Sequence, residues 1–303
     1  MGLLEKRYYG VLSGVVFSVA GIIALLVTAA IGFVGEPNIC YLTNECHCEF
    51  INKSAMIAQP INTWSNLFYV FFGLLILWKA AKDPPKHNGN KMVGVTPLST
   101  AFGLIAISIG IGSMFFHASM TNWGGALDVC AMNLFLSFVL VYTMNKFLRG
   151  STKSFWISYL LLNSACIILR VLSVAGLQVF TIMLFTTVAL EVILLIAGYF
   201  VNEKDSKANN KGIIYFPLRN WKLLIATLVS FGGGYVIWNL YQDTSPLCDP
   251  YSGFQGHAIW HFLTALATWY AFLYLRSEKG QYILRPVKSQ VTNTIVKKET
   301  RER

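Results

Sequence analysis

Residues 95–118 read VTPLSTAFGLIAISIGIGSMFFHA, twenty-four positions without a Lys, Arg, Asp or Glu. A helix rises about 1.5 Å per residue, so a run of this length crosses the roughly 30 Å hydrocarbon layer of a bilayer. Its apolar residues fall on every face, so length rather than amphipathic period identifies the helix. Ser113 and His117, one helical turn apart, stand at its end.

Seven further runs of the same kind flank this one, at 8–34, 61–81, 123–146, 154–174, 177–200, 220–241 and 256–276. The expected fold is therefore all-α, a polytopic membrane helix bundle. The 303-residue composition agrees, with 55% hydrophobic and only 13% charged residues, about half the charged share of soluble domains. The first run could be taken for a signal peptide, because Val27-Thr28-Ala29 resembles a small-residue cleavage site. Its apolar stretch exceeds the usual signal length, so an uncleaved helix is the better reading. Residues 201–219 read as a polar loop, and 277–303 as a basic, disordered tail.

The net charge of +10 is distributed by side. Lys and Arg precede the first run and follow the second, fourth, sixth and eighth. The alternate loops (35–60, 119–122, 175–176 and 242–255) hold Lys53 and no other Lys or Arg. The positive-inside rule then puts both termini in the cytoplasm. No aromatic-and-basic module accompanies the charge, which argues against nucleic acid as a partner, and no obligate protein partner is evident. Cys40, Cys46, Cys48 and Cys248 all fall on the outer, oxidising side, where disulfides are expected. The spacing leaves their pairing open. Cys130 and Cys166 lie in apolar runs and read as small buried thiols.

Three of the five histidines sit at outer ends of membrane segments. His117 ends the third run, and His257 and His261 begin the eighth. Four-residue spacing places those two on one helix face. Asp128 follows one to two turns into the fourth run, and by topology these residues and Ser113 share one depth. Ionisable groups at membrane depth cost about 2.5–3.5 kcal/mol each on insertion scales and usually mark function. Three imidazoles with an open fourth position suit catalytic zinc, which acidifies water and polarises a carbonyl. Asp128 would orient or deprotonate that water, and Ser113 would donate to a developing oxyanion. Hydrolysis of an ester or amide uses all of these parts.

The pattern Ser113, His117, Asp128, His257 and His261 resembles the alkaline ceramidase family, within a superfamily of seven-helix membrane hydrolases that includes adiponectin-type receptors. Gln59-Pro60-Ile61-Asn62-Thr63-Trp64-Ser65-Asn66 resembles the opening of that family's first core helix, and Leu247-Cys248-Asp249 has a counterpart as well. The resemblance implies an N-terminal helix and the start of an outer loop over 1–44, a seven-helix core over 45–276, and a tail over 277–303. It implies zinc on His117, His257 and His261, with Asp128 and Ser113 catalytic. The implied reaction cleaves the N-acyl amide of ceramide-like lipids to a fatty acid and an amino-alcohol base, the lipid entering from the bilayer. The family's animal members also carry a calcium site. Glu49 and Asn52 match two of its ligands here, but Gln59 stands where the family has Glu and the leading Asp-Trp is missing. So few carboxylates weigh against calcium. Cys46-His47-Cys48 fits a disulfide loop better than a second metal site.

Arg170 and Glu191, in the fifth and sixth runs, are expected to face each other or to line a polar wall of the substrate cavity. His87 reads as a solvated loop residue. Trp64, Trp238, Trp260 and Trp269 read as interfacial anchors or packing, with Trp260 a candidate for a lipid path. Two other readings share the same residues. In a metal-containing seven-helix receptor the ion would be structural. A haem carrier would need His pairs near both surfaces, and no His lies at the inner helix ends.

Overall fold

In hydrocarbon the backbone N–H and C=O groups have only each other as partners, so apolar runs of this length must close into helices. The computed structural model describes residues 3–43, 46–84, 90–148, 150–171, 176–205 and 219–278. Among them are ten helices: α1 (Leu3–Ile31), α2 (Ile39–Thr43), α3 (Pro60–Ser65), α4 (Leu67–Lys82), α5 (Pro97–Ser119), α6 (Asn122–Phe147), α7 (Thr152–Val171), α8 (Gly176–Asp205), α9 (Trp221–Leu240) and α10 (Gly256–Arg276). Among the described residues eight helical spans are long and apolar enough to cross a membrane, and the one β feature is an isolated bridge between Pro37 and Thr121. The chain is an all-α, multi-pass membrane protein. His87 and the tail from residue 279 lie outside the described residues.

The helix ends follow local chemistry. Thr96 caps α5 in a reciprocal box with Ser99, and Pro97 takes the first turn, where a missing N–H costs nothing. Gly32, at φ +89°, ends α1 three residues before the end of the apolar run. The second run is two helices rather than one. Asn66 breaks it by donating its side-chain amide to the Asn62 carbonyl at 2.8 Å.

Helix α10 lies between α4 and α9, α5 between α4 and α6, and α6 between α5 and α8, while α7 packs on α6. Helix α1 packs on the outside of α4 and α5. Aromatic rings from four helices (Phe102, Phe138, Phe155 and Phe272) fill the centre, all less than 2% exposed. Helix α9 packs closely on α10 alone, and α8 on α6 and α7. A seam thus runs between α8 and α9.

At one end of the bundle the 35–59 loop is stapled by disulfides Cys40–Cys46 and Cys48–Cys248. Cys130 and Cys166 are free. At the other end Arg219, its side chain fully buried, pairs with Glu191 at 2.8 Å and Glu278 at 3.1 Å. Lys146 reaches Glu278 at 3.0 Å, and the Tyr274 hydroxyl donates to Glu191 at 2.9 Å. One expectation is corrected here. The partner of Glu191 is Arg219, not Arg170, because Glu191 lies near the end of the bundle opposite the C-terminal end of α7, where Arg170 stands. Glu278, just past α10, is only 7% exposed and packs with the bundle.

Candidate metal centre

The site begins with a backbone splice. Ala58 and Gln59 donate their N–H groups to the Ala118 and His117 carbonyls, at 3.0 and 3.1 Å, at the end of α5. This docks the start of α3 beside His117. Helix α10 brings His257 and His261 to the same place on one face. All three rings are buried, at 0%, 6% and 3% exposure for His117, His257 and His261. Their candidate ligand atoms lie within 4.8 Å of one another.

The hydrogen bonds fix which nitrogens face inward. His117 Nδ1 lies 2.8 Å from Gln59 Oε1, which can only accept, so Nδ1 carries the proton and Nε2 a lone pair. His261 Nδ1 lies 2.7 Å from Ser65 Oγ. That hydroxyl donates to the Asn62 carbonyl at 2.9 Å, so it accepts from the ring. His261 Nε2 is therefore also free to ligate. His257 Nε2 stands 3.2 Å from His117 Nε2. Two nitrogens bound tetrahedrally to zinc at about 2.0–2.1 Å would stand about 3.3 Å apart. His257 Nδ1 is buried without a partner. Ring nitrogens converging in a dry pocket, two with their outer N–H groups held, fit a divalent metal ion.

Asp128 stands on α6 at the place where Gly112 lets that helix approach α5. A Cβ at Gly112 would lie 3.0 Å from the Leu127 carbonyl oxygen. Ser113, the next residue on α5, is close enough to bear on the Asp128 carboxylate.

The residues matched to the family's calcium site are engaged by the protein itself. Both carboxylate oxygens of Glu49 accept from backbone N–H groups of α3, Ile61 and Asn62, at 2.7 Å each. Burial raises this carboxyl, and those two bonds oppose the shift. Asn52 is exposed, and its side-chain oxygen accepts from Ser54 at 3.1 Å. Gln59 Nε2 donates to the Cys46 and Glu49 carbonyls at 2.9 and 2.8 Å, so an amide occupies oxygens a cation would need.

Two residues escaped the reading of the sequence. Ser65 and Gln59 orient ligands 196 and 58 positions away; the only signal was their place in the segment opening α3. Trp238, read as an anchor, donates to His47 Nδ1 at 3.3 Å.

Below the histidines lies an apolar cavity of about 110 Å³, lined by Tyr69, Phe231, Trp260, Thr264, Glu191 and Tyr274 among others. It follows α10 from Trp260 to Leu275, about 22 Å at the helical rise, and borders the seam between α8 and α9.

A multi-pass bundle with a buried trio of imidazoles above a long apolar cavity is a membrane protein with a candidate metal centre. A family model described as Ceramidase matches residues 44–282. The chain belongs to the ceramidase family. No curated protein matches it.

Proposed function

We propose that the protein is a zinc-dependent amidase that hydrolyses the N-acyl bond of ceramide-like lipids. The observation that carries this is the convergence of His117, His257 and His261, with a long apolar cavity that begins at Trp260, the residue before His261. Family membership supports the amide as the bond cleaved. The seam between α8 and α9 supports entry of the lipid from the bilayer, where its chains are already dissolved.

His117, His257 and His261 would hold the zinc, which supplies Lewis-acid polarisation of the amide carbonyl and acidifies water. Gln59 and Ser65 keep two of these rings in the ligating tautomer. Asp128 accepts a proton from the attacking water and returns it to the leaving nitrogen, and Ser113 donates to the developing oxyanion. The C–N bond breaks, and a free fatty acid and an amine result. The cavity wall takes the chain, and Trp260 and Tyr69 sit at its head.

The test pairs metal analysis with fatty-acid release from a panel of N-acyl lipids. About one zinc per chain is expected. His117→Ala or His261→Ala should lose both the metal and turnover. Asp128→Asn should retain the metal and lose about 10²–10⁴ in rate, the usual worth of a general base. Full turnover by a chelated or triple-His variant preparation would refute the proposal. A metal-bound protein silent on every lipid would favour a receptor.

A further inference from the structure

His117 and His261 each have a hydrogen-bonded group behind them, and His257 has none: its Nδ1 is buried and bare. Metal-binding imidazoles ordinarily have their rings fixed from behind. Something else must set the angle of this one.

The structure offers one candidate. The His47 ring lies on His257 with centroids 3.9 Å apart and planes 19° from parallel. Its edge contacts with His117 and Phe116 are longer, at 5.4 and 6.4 Å. Trp238 pins it through Nδ1. The backbone is committed to the same end. His47 and Cys48 both adopt left-handed φ, at 64° and 65°, which side-chain-bearing residues rarely do. Cys46 and Cys48, on either side, are anchored through the two disulfides, and the Cys48 N–H is held by Asp243 at 2.7 Å. An unfavourable conformation fixed on both flanks presents one ring to the one ligand that lacks support.

We infer that His47 is a positioning residue, which stacks on His257 and holds that imidazole in its metal-binding orientation. Among the described residues the group of converging ligand atoms comprises His117, His257 and His261, and His47 Nδ1 is engaged by Trp238. The inference rests on the metal part of the proposed function and not on the reaction. It assigns the disulfide loop a task at the metal centre.

The experiment reads metal affinity, by competition with a chelating dye, on full-length protein in detergent. Three variants are compared: His47→Phe, which keeps a flat ring; His47→Leu, which fills the space without one; and His47→Ala. Leu and Ala should weaken zinc binding about 10–100-fold, the usual effect of losing such a support, while Phe should stay near the native value. Cobalt in place of zinc should give a native visible spectrum with Phe and a shifted one with Leu. If Leu binds as tightly as Phe, the stack has no role and the inference fails. If Phe is as weak as Leu, a nitrogen of His47 is what matters, and it fails as well. Should Ala not fold, Leu against Phe still decides. Native zinc affinity without lipid turnover would overturn the proposed function and leave this inference intact.

Discussion

The Arg219 side chain is fully enclosed, with charged and polar partners around it. Glu191 on α8 and Glu278 just beyond the end of α10 neutralise it, and Lys146 balances the second carboxylate. A buried ion pair adds little net stability, but removing one member strands the others. Arg219→Met should therefore destabilise the protein by about 3–5 kcal/mol, read as a lowered midpoint in thermal unfolding. An unchanged midpoint would mean water already reaches the cluster. At this scale the sequence was legible where chemistry is local. His257 and His261 announce themselves because four residues make one turn, and Ser113 and His117 likewise. Partners set by tertiary packing were not legible. Gln59 and Ser65 look like ordinary polar residues until α3 is laid against α5 and α10. The Glu191–Arg219 pairing was within reach, since depth alone put both near the same end, but Arg219 was counted only as one more basic loop residue.

Among the elements, α4 and α5 show how closely two membrane helices can approach. Gly73 faces Gly103, and a Cβ at Gly73 would stand 2.8 Å from the Gly103 carbonyl oxygen and 3.0 Å from the Ile107 nitrogen. Small residues permit such contact, and here two of the three nearest obstructing atoms are backbone that cannot swing aside, the third being the Ile107 side chain at 2.6 Å. Gly73→Ala should thus cost about 1–3 kcal/mol as overpacking, seen as earlier unfolding in detergent. Unaltered stability would show that the helices can part without loss. Since α5 carries Ser113 and His117, zinc affinity should weaken in the same variant. Apolar length located all eight spans. It did not show the division of the second run into α3 and α4, because a break made by one asparagine side chain leaves no trace in hydropathy.

On the scale of the whole molecule, the two ends differ in kind. One holds both disulfides and the histidine cluster, and the other collects Lys, Arg and the buried ion pairs. The positive-inside rule would set the first end outside or in a lumen. An epitope inserted after Ala55, in an exposed stretch, should be reached by antibody only from the non-cytoplasmic side in selectively permeabilised cells, and one after Arg303 only from the cytoplasm. The reverse pattern would invert the active-site placement.

Gln59 touches both halves of this arrangement, gripping the loop carbonyls with its nitrogen and the His117 ring with its oxygen. On the proposed reading, oxidation of the loop and retention of the ion should be linked: a copy with reduced cysteines is expected to bind the metal more weakly than the disulfide-bonded one, and chelation is expected to strip it first.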